Sequence, residues 1–595
     1  MPRTFVESVV AGHVVGAAGP RPPAAGDVVW LRPKRLMTHD NSSAVLARFR
    51  SMGATRVADP SRSVIVLDHD VQNQSPENLA KYAAIEAFAR ACGIEFHPAG
   101  SGIGHQIMIE RGHVRPGELC VAADSHANTY GALGALGIAV TRSDAAGIWD
   151  SGMFWWEIPE SVRVVMTGRL PQGAVGKDVA LYLCATYPDD AVGVAVEFDG
   201  PGAATLTDDD RLTISNMTTE WGAVAGVFPP QGSAGASYVA TIELDLTEVS
   251  PHVSGPDSLS RAVPVDSLAG DRIAIQKAYL VSCANGRLSD FEAAASVLRG
   301  RRVAPGIALY IAPASASVQA AAESSGAWDA LLDSGAIPLP AGCGPCIGLG
   351  AGLLLPGETG ISASNRNFKG RMGSAEARCY LASPSVVAAS AVAGFICGPN
   401  AGAASAPGRR ITRHAREHTA PVEPPAGANG RITGRLVAFL RDGIDTDALC
   451  PARLVYDDGA TREQLKRAVF GSIDPAFAEL VRDGDILVTG ARFGSGSSRE
   501  QAVSALAAAG IRAVVAESFA PSFRRNAWNN GFLAVERPEL VRALRARFGD
   551  LSAKALFMDE PVVVETSWLP PVARELIAAG GLDAFLRARR CDDRG

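Results

Sequence analysis

"LPAGCGPCIGLG", residues 339–350, sets two cysteines three apart among glycine, proline and apolar residues. Several chemistries use that spacing. A thioredoxin-like redox pair would sit at the start of a helix in a small βαβ domain. A structural zinc site would want a second CxxC or a histidine pair at suitable spacing, and the sequence has neither. An iron–sulfur cluster usually needs four thiolates. A further candidate is Cys283 in "LVSCANGRLSDF" (280–291), which follows a strand-like run and precedes a helical one, so its sulfur can face a strand-end cleft. Three cysteines from two Gly-rich loops would suffice for a cluster with one iron left open, which can polarise a leaving hydroxyl as a Lewis acid. The competing reading is a buried turn whose cysteines only pack.

The rest of the chain narrows the setting. With 595 residues it is too long for one hydrophobic core, and three to five domains are expected. Hydrophobic residues make up 47% and charged residues 20%, which describes an ordinary globular protein. The net charge of -6 argues against a general nucleic-acid binder but leaves room for a local basic pocket. The longest apolar run, "SVVAASAVAGFIC" (385–397), is too short and too rich in small residues to span a bilayer, so no membrane is expected. The first residues lack the order of a signal peptide, and a cytoplasmic location is expected, where cysteines stay reduced.

From about residue 26 to 395, β-branched runs alternate with Ala- and Leu-rich helical stretches. "SVIVLDHD" (63–70) and "ELCVAADSH" (118–126) read as strands that end in polar groups, and "PENLAKYAAIEAFARACGI" (76–94) reads as a helix with a glycine stop. Such α/β chains gather ligand groups at the carboxyl ends of strands. Residues 398–430 are rich in Pro, Gly and Ala without a steady period and read as a linker. A new unit starts at "GRLVAFL" (434–440). Its centre, 485–518, reads as strand, Gly/Ser turn, helix, strand.

Acid–base chemistry needs groups that give and take protons, and His–carboxylate pairs suit that task near neutral pH. Four of the ten histidines stand in charged or Gly-rich stretches. They are His39 beside Asp40, His69 beside Asp68, His105 in "GSGIGHQI", and His126 with Asp124 and Ser125. Singly, each reads better as a satisfied structural histidine. Four within 90 residues favour a site. Asn216 fits either a helix cap or a loop-holding role. "RFGSGSSREQAVSAL" places Ser497, Ser498 and Arg499 before a helix, where Ser497 and Glu500 fit a capping box but an alkoxide would also be stabilised. "SNRNFKGRMG" holds Arg366 and Arg371, either solvated surface or a pair that grips carboxylates.

"SCANGRLSDFEAAA" (282–295), "PAGCGPCIG" (340–348) and "SNRNFKGRMGS" (364–374), in that order and spacing, resemble the aconitase superfamily over nearly the whole chain. The resemblance implies an α/β fold: a three-domain α/β/α core, residues 1–397, the linker 398–430, and a swivelling β/β/α domain, residues 431–595. It implies a 4Fe–4S cluster on Cys283, Cys343 and Cys346, with Ala284 standing where the family usually has threonine. Asp68, His69, His105, Asp124 and His126 would surround the leaving hydroxyl, with His39 and Ser125 as substrate contacts. Glu220, in "RLTISNMTTEWGA", would orient a histidine. Ser497 matches the serine base of the family's "GSSRE" stretch, and Ser498 and Arg499 would bind carboxylate or support it. Arg366 and Arg371 become substrate-carboxylate ligands. Arg453, in "ALCPARLV", is the cationic candidate of the second unit, in a segment that departs from the commoner "IIPARYL".

The implied reaction removes water from a 2-hydroxy acid and returns it at the neighbouring carbon. "EVSPHVSGPDSLS" (248–260), "KAYLVSCANGRLSD" (277–290) and "PARLVYDDGATREQL" (451–465) are most similar to single-chain homoaconitases, which favours homocitrate among small di- and tricarboxylates. 3-Isopropylmalate is the runner-up because Leu454 and Val455 suit an isopropyl group. Citrate and a phosphonomethylmalate-like analogue also remain open, since one methylene changes binding by only ~1–3 kcal/mol. A reading of another class is an RNA-binding regulatory relative. The retained cysteines and arginines and the acidic balance oppose it. A fused chain needs no partner subunit, so a monomer is expected.

Overall fold

In this computed structural model the chain divides into two units, Met1–Arg416 and Glu417–Gly595. Residues 2–16, 21–232, 235–399, 408–414, 430–451, 461–495, 499–549 and 551–592 are described. Ser497, Ser498 and Arg453 lie outside them.

The first unit is built on three main sheets. One orders Glu95–His97, Ser63–Val66, Arg35–Thr38, Leu119–Ala122 and Leu136–Ala139, all parallel. The central strands carry no polar alternation because successive residues, which point to opposite faces, are all buried, as in other parallel sheets. The helix Pro76–Cys92 matches its sequence signals, with Ser75 capping Asn78 N and Gly93 at φ 72 closing the end.

A second sheet orders Ala225–Val227, Ala195–Asp199, Ser161–Thr167, Ala240–Asp245 and Ile411–Arg413. Its last member runs antiparallel on the edge and falls within the stretch read as a linker. Arg409 and Arg413 both reach the almost fully buried Asp190 at 2.6 Å, which pins that edge strand in place. The third sheet has seven strands. The five from Ile337–Pro338 through Ala308–Ile311, Lys277–Leu280 and Thr359–Ser362 to Arg378–Ala382 are parallel, and two short antiparallel strands extend it.

The second unit holds one sheet. It orders Leu533–Glu536, Ile511–Ala516, Asp485–Thr489, Arg431–Phe439 and Leu556–Glu565, parallel except for the last pair. Its core includes Phe439, Phe470 and Phe477, packed edge to face at 4.8–4.9 Å.

Gly131, in the helical turn Ala127–Leu133 of the first sheet's segment, packs directly on the edge strand Ala225–Val227 of the second sheet. A Cβ there would lie 1.8 Å from the main-chain oxygen of Gly226. Gly131→Ala is expected to cost more than about 2 kcal/mol, because backbone rather than a side-chain tip must move. Gly112→Ala, at φ 68 in open space, should cost only the left-handed strain of about 1–2 kcal/mol. Thermal unfolding midpoints of the two variants, compared with the parent chain, check the order.

Candidate active site

The carboxyl ends of the parallel strands converge on a cavity of about 180 Å³ in the first unit. Asp68 and His69 follow the strand Ser63–Val66, and Asp124–His126 follow Leu119–Ala122. Cys283 follows Lys277–Leu280, the Cys343–Cys346 turn follows Ile337–Pro338, and the Asn365–Arg371 loop follows Thr359–Ser362. His105 enters from the first turn of the helix Gly104–Glu110. The three cysteines, these histidines and carboxylates, Ser125, Arg366 and Arg371 all line the cavity.

The local backbone explains the glycine-rich text around the cysteines. Gly342 has φ 152, and a Cβ would meet the main-chain oxygen of Asp68 at 2.8 Å. That close approach lets Cys343 N donate to Asp68 O at 2.7 Å. Ser282, just before Cys283, is a non-glycine residue at φ 103, a strained conformation of the kind that clusters at functional sites. The loop behind it is held by Arg287, whose guanidinium donates to the carbonyls of Cys283 (2.7 Å) and Ala284 (2.6 Å).

A continuous acid–histidine network runs along the cavity wall. His69 Nδ1 and Asp68 Oδ1 are 2.5 Å apart. Asp124 Oδ1 pairs with His105 Nε2 at 2.7 Å and accepts the main-chain N–H of His126 at 2.8 Å. His126 Nε2 meets Glu220 Oε1 at 2.9 Å, and Arg366 Nε donates to Glu220 Oε2 at 2.9 Å. Burial works against charge throughout, so partners decide each state. Burial would lower the His69 pKa, but Asp68 and Asp124 push it up to about 9. Burial would raise Asp124, yet its hydrogen bonds from His105 and His126 hold it well below the usual carboxylate range. Glu220 is likewise brought down to about 2 by His126 and Arg366 despite its burial. His39 goes the other way: burial and the neighbouring His69 lower it to about 4, so it is neutral.

Within the first unit, His39 and Glu220 stand outside the cavity lining. His39 is stacked on His69 at 3.9 Å with Nε2 on Ala123 O, and it does not line the space. Glu220 acts from behind, through His126 and Arg366. Arg499, in the second unit, forms a two-pronged pair with Asp447 at 2.5 and 3.0 Å and donates to Cys450 O. Asn216 lies inside the helix Asp208–Met217, so it is not an N-cap. Its amide donates to Thr129 Oγ1 (2.8 Å) and to Cys283 Sγ (3.2 Å).

Two contributors escape the sequence reading. Asn365 donates to Cys283 Sγ at 3.4 Å and to Asn216 Oδ1 at 3.1 Å. It stands beside Arg366 in a stretch noted for its arginines, and that adjacency was the available signal. Tyr130, whose hydroxyl is 3.1 Å from His105 Nδ1, sits in an apolar-looking run that offered none.

The family model for aconitase (aconitate hydratase) matches residues 7–234 and 231–394, and the aconitase C-terminal domain model matches residues 460–540. The chain belongs to the aconitase family. A mitochondrial homoaconitase of Eremothecium gossypii is 47% identical over 92% of this chain and 88% of that protein. One from Mycosarcoma maydis is 43% identical over 94% and 88%. A solved 3-isopropylmalate dehydratase from Methanocaldococcus jannaschii is 31% identical, covering 28% of this chain and all of its own, with a TM-score of 0.22. Membership makes the chain an enzyme, a hydro-lyase. The relatives' mitochondrial names overturn the expectation of a cytoplasmic location. Reduced cysteines and an acidic balance suit any reducing compartment, so composition could not separate the two. Among the described residues no helix is long and apolar enough to cross a membrane.

Proteins of this family use a 4Fe–4S cluster, and the donor set here suits one. Three buried thiols share a cavity wall, and two side-chain amides donate to the sulfur of Cys283, as a thiolate ligand requires. Burial, reinforced by the neighbouring cysteines and carboxylates, pushes the Cys283 thiol up to about 12 and Cys343 well above its ordinary value. A cation in the cavity would reverse that preference.

Glu220→Gln tests the network. The folded carboxylate near 2, against about 4.3 when unfolded, contributes up to about 3 kcal/mol that is fully present above pH ~4.3 and lost as pH falls through ~2. The variant should therefore melt below the parent at pH 7, and the gap should shrink between pH 4.5 and 3. A gap of constant size across that range would refute the assignment.

Proposed function

We propose that the chain converts homocitrate to homoisocitrate through cis-homoaconitate, using a 4Fe–4S cluster on Cys283, Cys343 and Cys346. The observation that carries this reading is the single cavity that joins those three thiols to a His–carboxylate network and two arginines. The choice of substrate follows the names of the relatives, which are 41–47% identical over at least 92% of the chain.

When bound, the cluster supplies a Lewis-acidic iron for the substrate hydroxyl. The chain's own groups do the rest. His69, kept protonated between Asp68 and Asp124, is placed to give the departing hydroxyl its proton, and His105, bonded through both ring nitrogens to Asp124 and Tyr130, holds Asp124 in place and completes the relay. Arg371 and the terminal nitrogens of Arg366 bind carboxylates, with Arg366 oriented by its Nε bond to Glu220. Ser125 adds a hydroxyl to the wall. On the sequence match, Ser497 takes the proton from carbon, and Ser498, Arg453 and Arg499 serve the substrate carboxylates. Return of water to the neighbouring carbon reverses these proton transfers. His39 supports the wall by its stack on His69.

The test is a panel of homocitrate, citrate, 3-isopropylmalate and phosphonomethylmalate offered to anaerobically reconstituted protein, with alkene absorbance as the readout. Homocitrate should give the highest kcat/KM. Cys346→Ser should lower the rate at least about 100-fold, and Ser497→Ala should lower kcat by about 10²–10⁴. Homocitrate ranking last would overturn the substrate. An unchanged rate in Cys346→Ser would overturn the cluster chemistry.

A further inference from the structure

Lys177 is the second residue of the helix Gly176–Thr186 and is fully buried, with 0% of its surface exposed. Its ammonium faces two penalties there. A buried charge loses its water, and the N-terminus of a helix already carries partial positive charge. Its Nζ donates to the main-chain oxygens of Ala363 (3.0 Å) and Ser364 and to Asn285 Oδ1 (3.4 Å), all neutral acceptors. Asp178, the next residue, spends its carboxylate on the main-chain N–H groups of His252 and Val175. The buried Asp290 makes no direct hydrogen bond to Lys177; the Asn285 amide bridges the two, donating to Asp290 Oδ1 at 3.0 Å, and the Asp290 charge supports the ammonium.

The three acceptors belong to the two loops that matter most for the cavity. Ser364 precedes Asn365, whose amide donates to Cys283 Sγ, and then Arg366, which pairs with Glu220. Asn285 lies two residues after Cys283 on the other loop. Lys177 therefore joins the segment that carries a cluster ligand to the segment that hydrogen-bonds that ligand. A site that gathers three thiolates in a buried space needs a fixed counter-charge. The other buried cation behind the same loop, Arg287, already has Asp209 at 3.8 Å.

We propose that Lys177 is a positioning residue that clamps the Cys283 and Ser364–Arg366 loops together and supplies the buried positive charge that stabilises the anionic thiolate cluster. The inference rests on the cluster reading above. Lys177 does not touch the substrate; it acts through the loops and the field it creates. Burial lowers its pKa only to about 8, which leaves it charged at neutral pH.

Three variants separate the clamp from the charge. Lys177→Met removes both, Lys177→Gln keeps a donor without charge, and Lys177→Arg keeps the charge. The readouts are the rate of cluster loss to a chelator, followed by visible absorbance, and the midpoint potential of the reconstituted cluster. Lys177→Met and Lys177→Gln should lose the cluster about 10–100-fold faster than the parent and show a lower midpoint potential. Lys177→Arg should stay close to the parent in both. The Lys177→Met apoprotein should melt below the parent, since three buried acceptors lose their donor, and Lys177→Gln by less, so the cluster readouts are compared at a temperature where all the apoproteins are folded. If the neutral variants do not accumulate as folded protein, Lys177→Arg alone decides: cluster loss tenfold faster than the parent, or a lowered potential, overturns the proposal. Unchanged cluster lifetime and potential in Lys177→Met also overturn it. A parent chain that takes up no 4Fe–4S cluster would instead refute the cluster reading itself.

Discussion

Asp68 ties four segments of the chain to one point. Its carboxylate faces His69 Nδ1 and accepts the N–H of Gly104, just before His105. Its main-chain oxygen accepts the N–H of Cys343. Its own N–H, with those of His69 and Asp70, is held by the carboxylate of Asp40, which Tyr82 also supports. A proton-transfer histidine, a second histidine and a cysteine loop therefore share one reference. The cavity is only as well formed as that turn, because each of these bonds is buried or partly buried and none is easily replaced by water.

The same economy governs the charges. His69, Asp124 and the supporting Glu220 are buried or partly buried, and each keeps its charge because partners of opposite sign or hydrogen-bond donors outweigh the loss of water. His69 and His39, stacked face to face, show the result: one is hydrogen-bonded to Asp68 and stays protonated, while burial and the neighbouring charged ring outweigh the carboxylates near the other and leave it neutral. Two histidines of the same stack thus hold different protonation states at one pH. The fold supplies an acid without a shared proton wandering between the rings.

Much of this was legible in the residues. Strand-end polar clusters at 63–70 and 118–126 announced both an α/β fold and a site, because parallel strands must be apolar along their length and can turn polar only where they emerge. The cysteine loops were readable because Gly342 and Gly348 mark backbone that few other residues can adopt. What escaped were partners from distant stretches. Asn365 and Tyr130 matter for where tertiary packing delivers them, and no local period encodes that. His39 misled for the complementary reason: its sequence setting matched the cavity histidines, but its ring was used up in packing. The edge strand Ile411–Arg413 was hidden by its surroundings, a Pro- and Gly-rich run in which three β-branched or basic residues carry no pattern.

That edge strand bears on how a protein of this kind could be divided into two polypeptides. A sheet that ends in an unpaired strand offers a template for other chains. Here Ile411–Arg413 covers the side of Ala240–Asp245, and two arginines lock it to Asp190. A gene fission placed before residue 411 would strip this cover and leave a sticky flank on the larger product. A break placed beyond His414 would leave that strand paired and anchored.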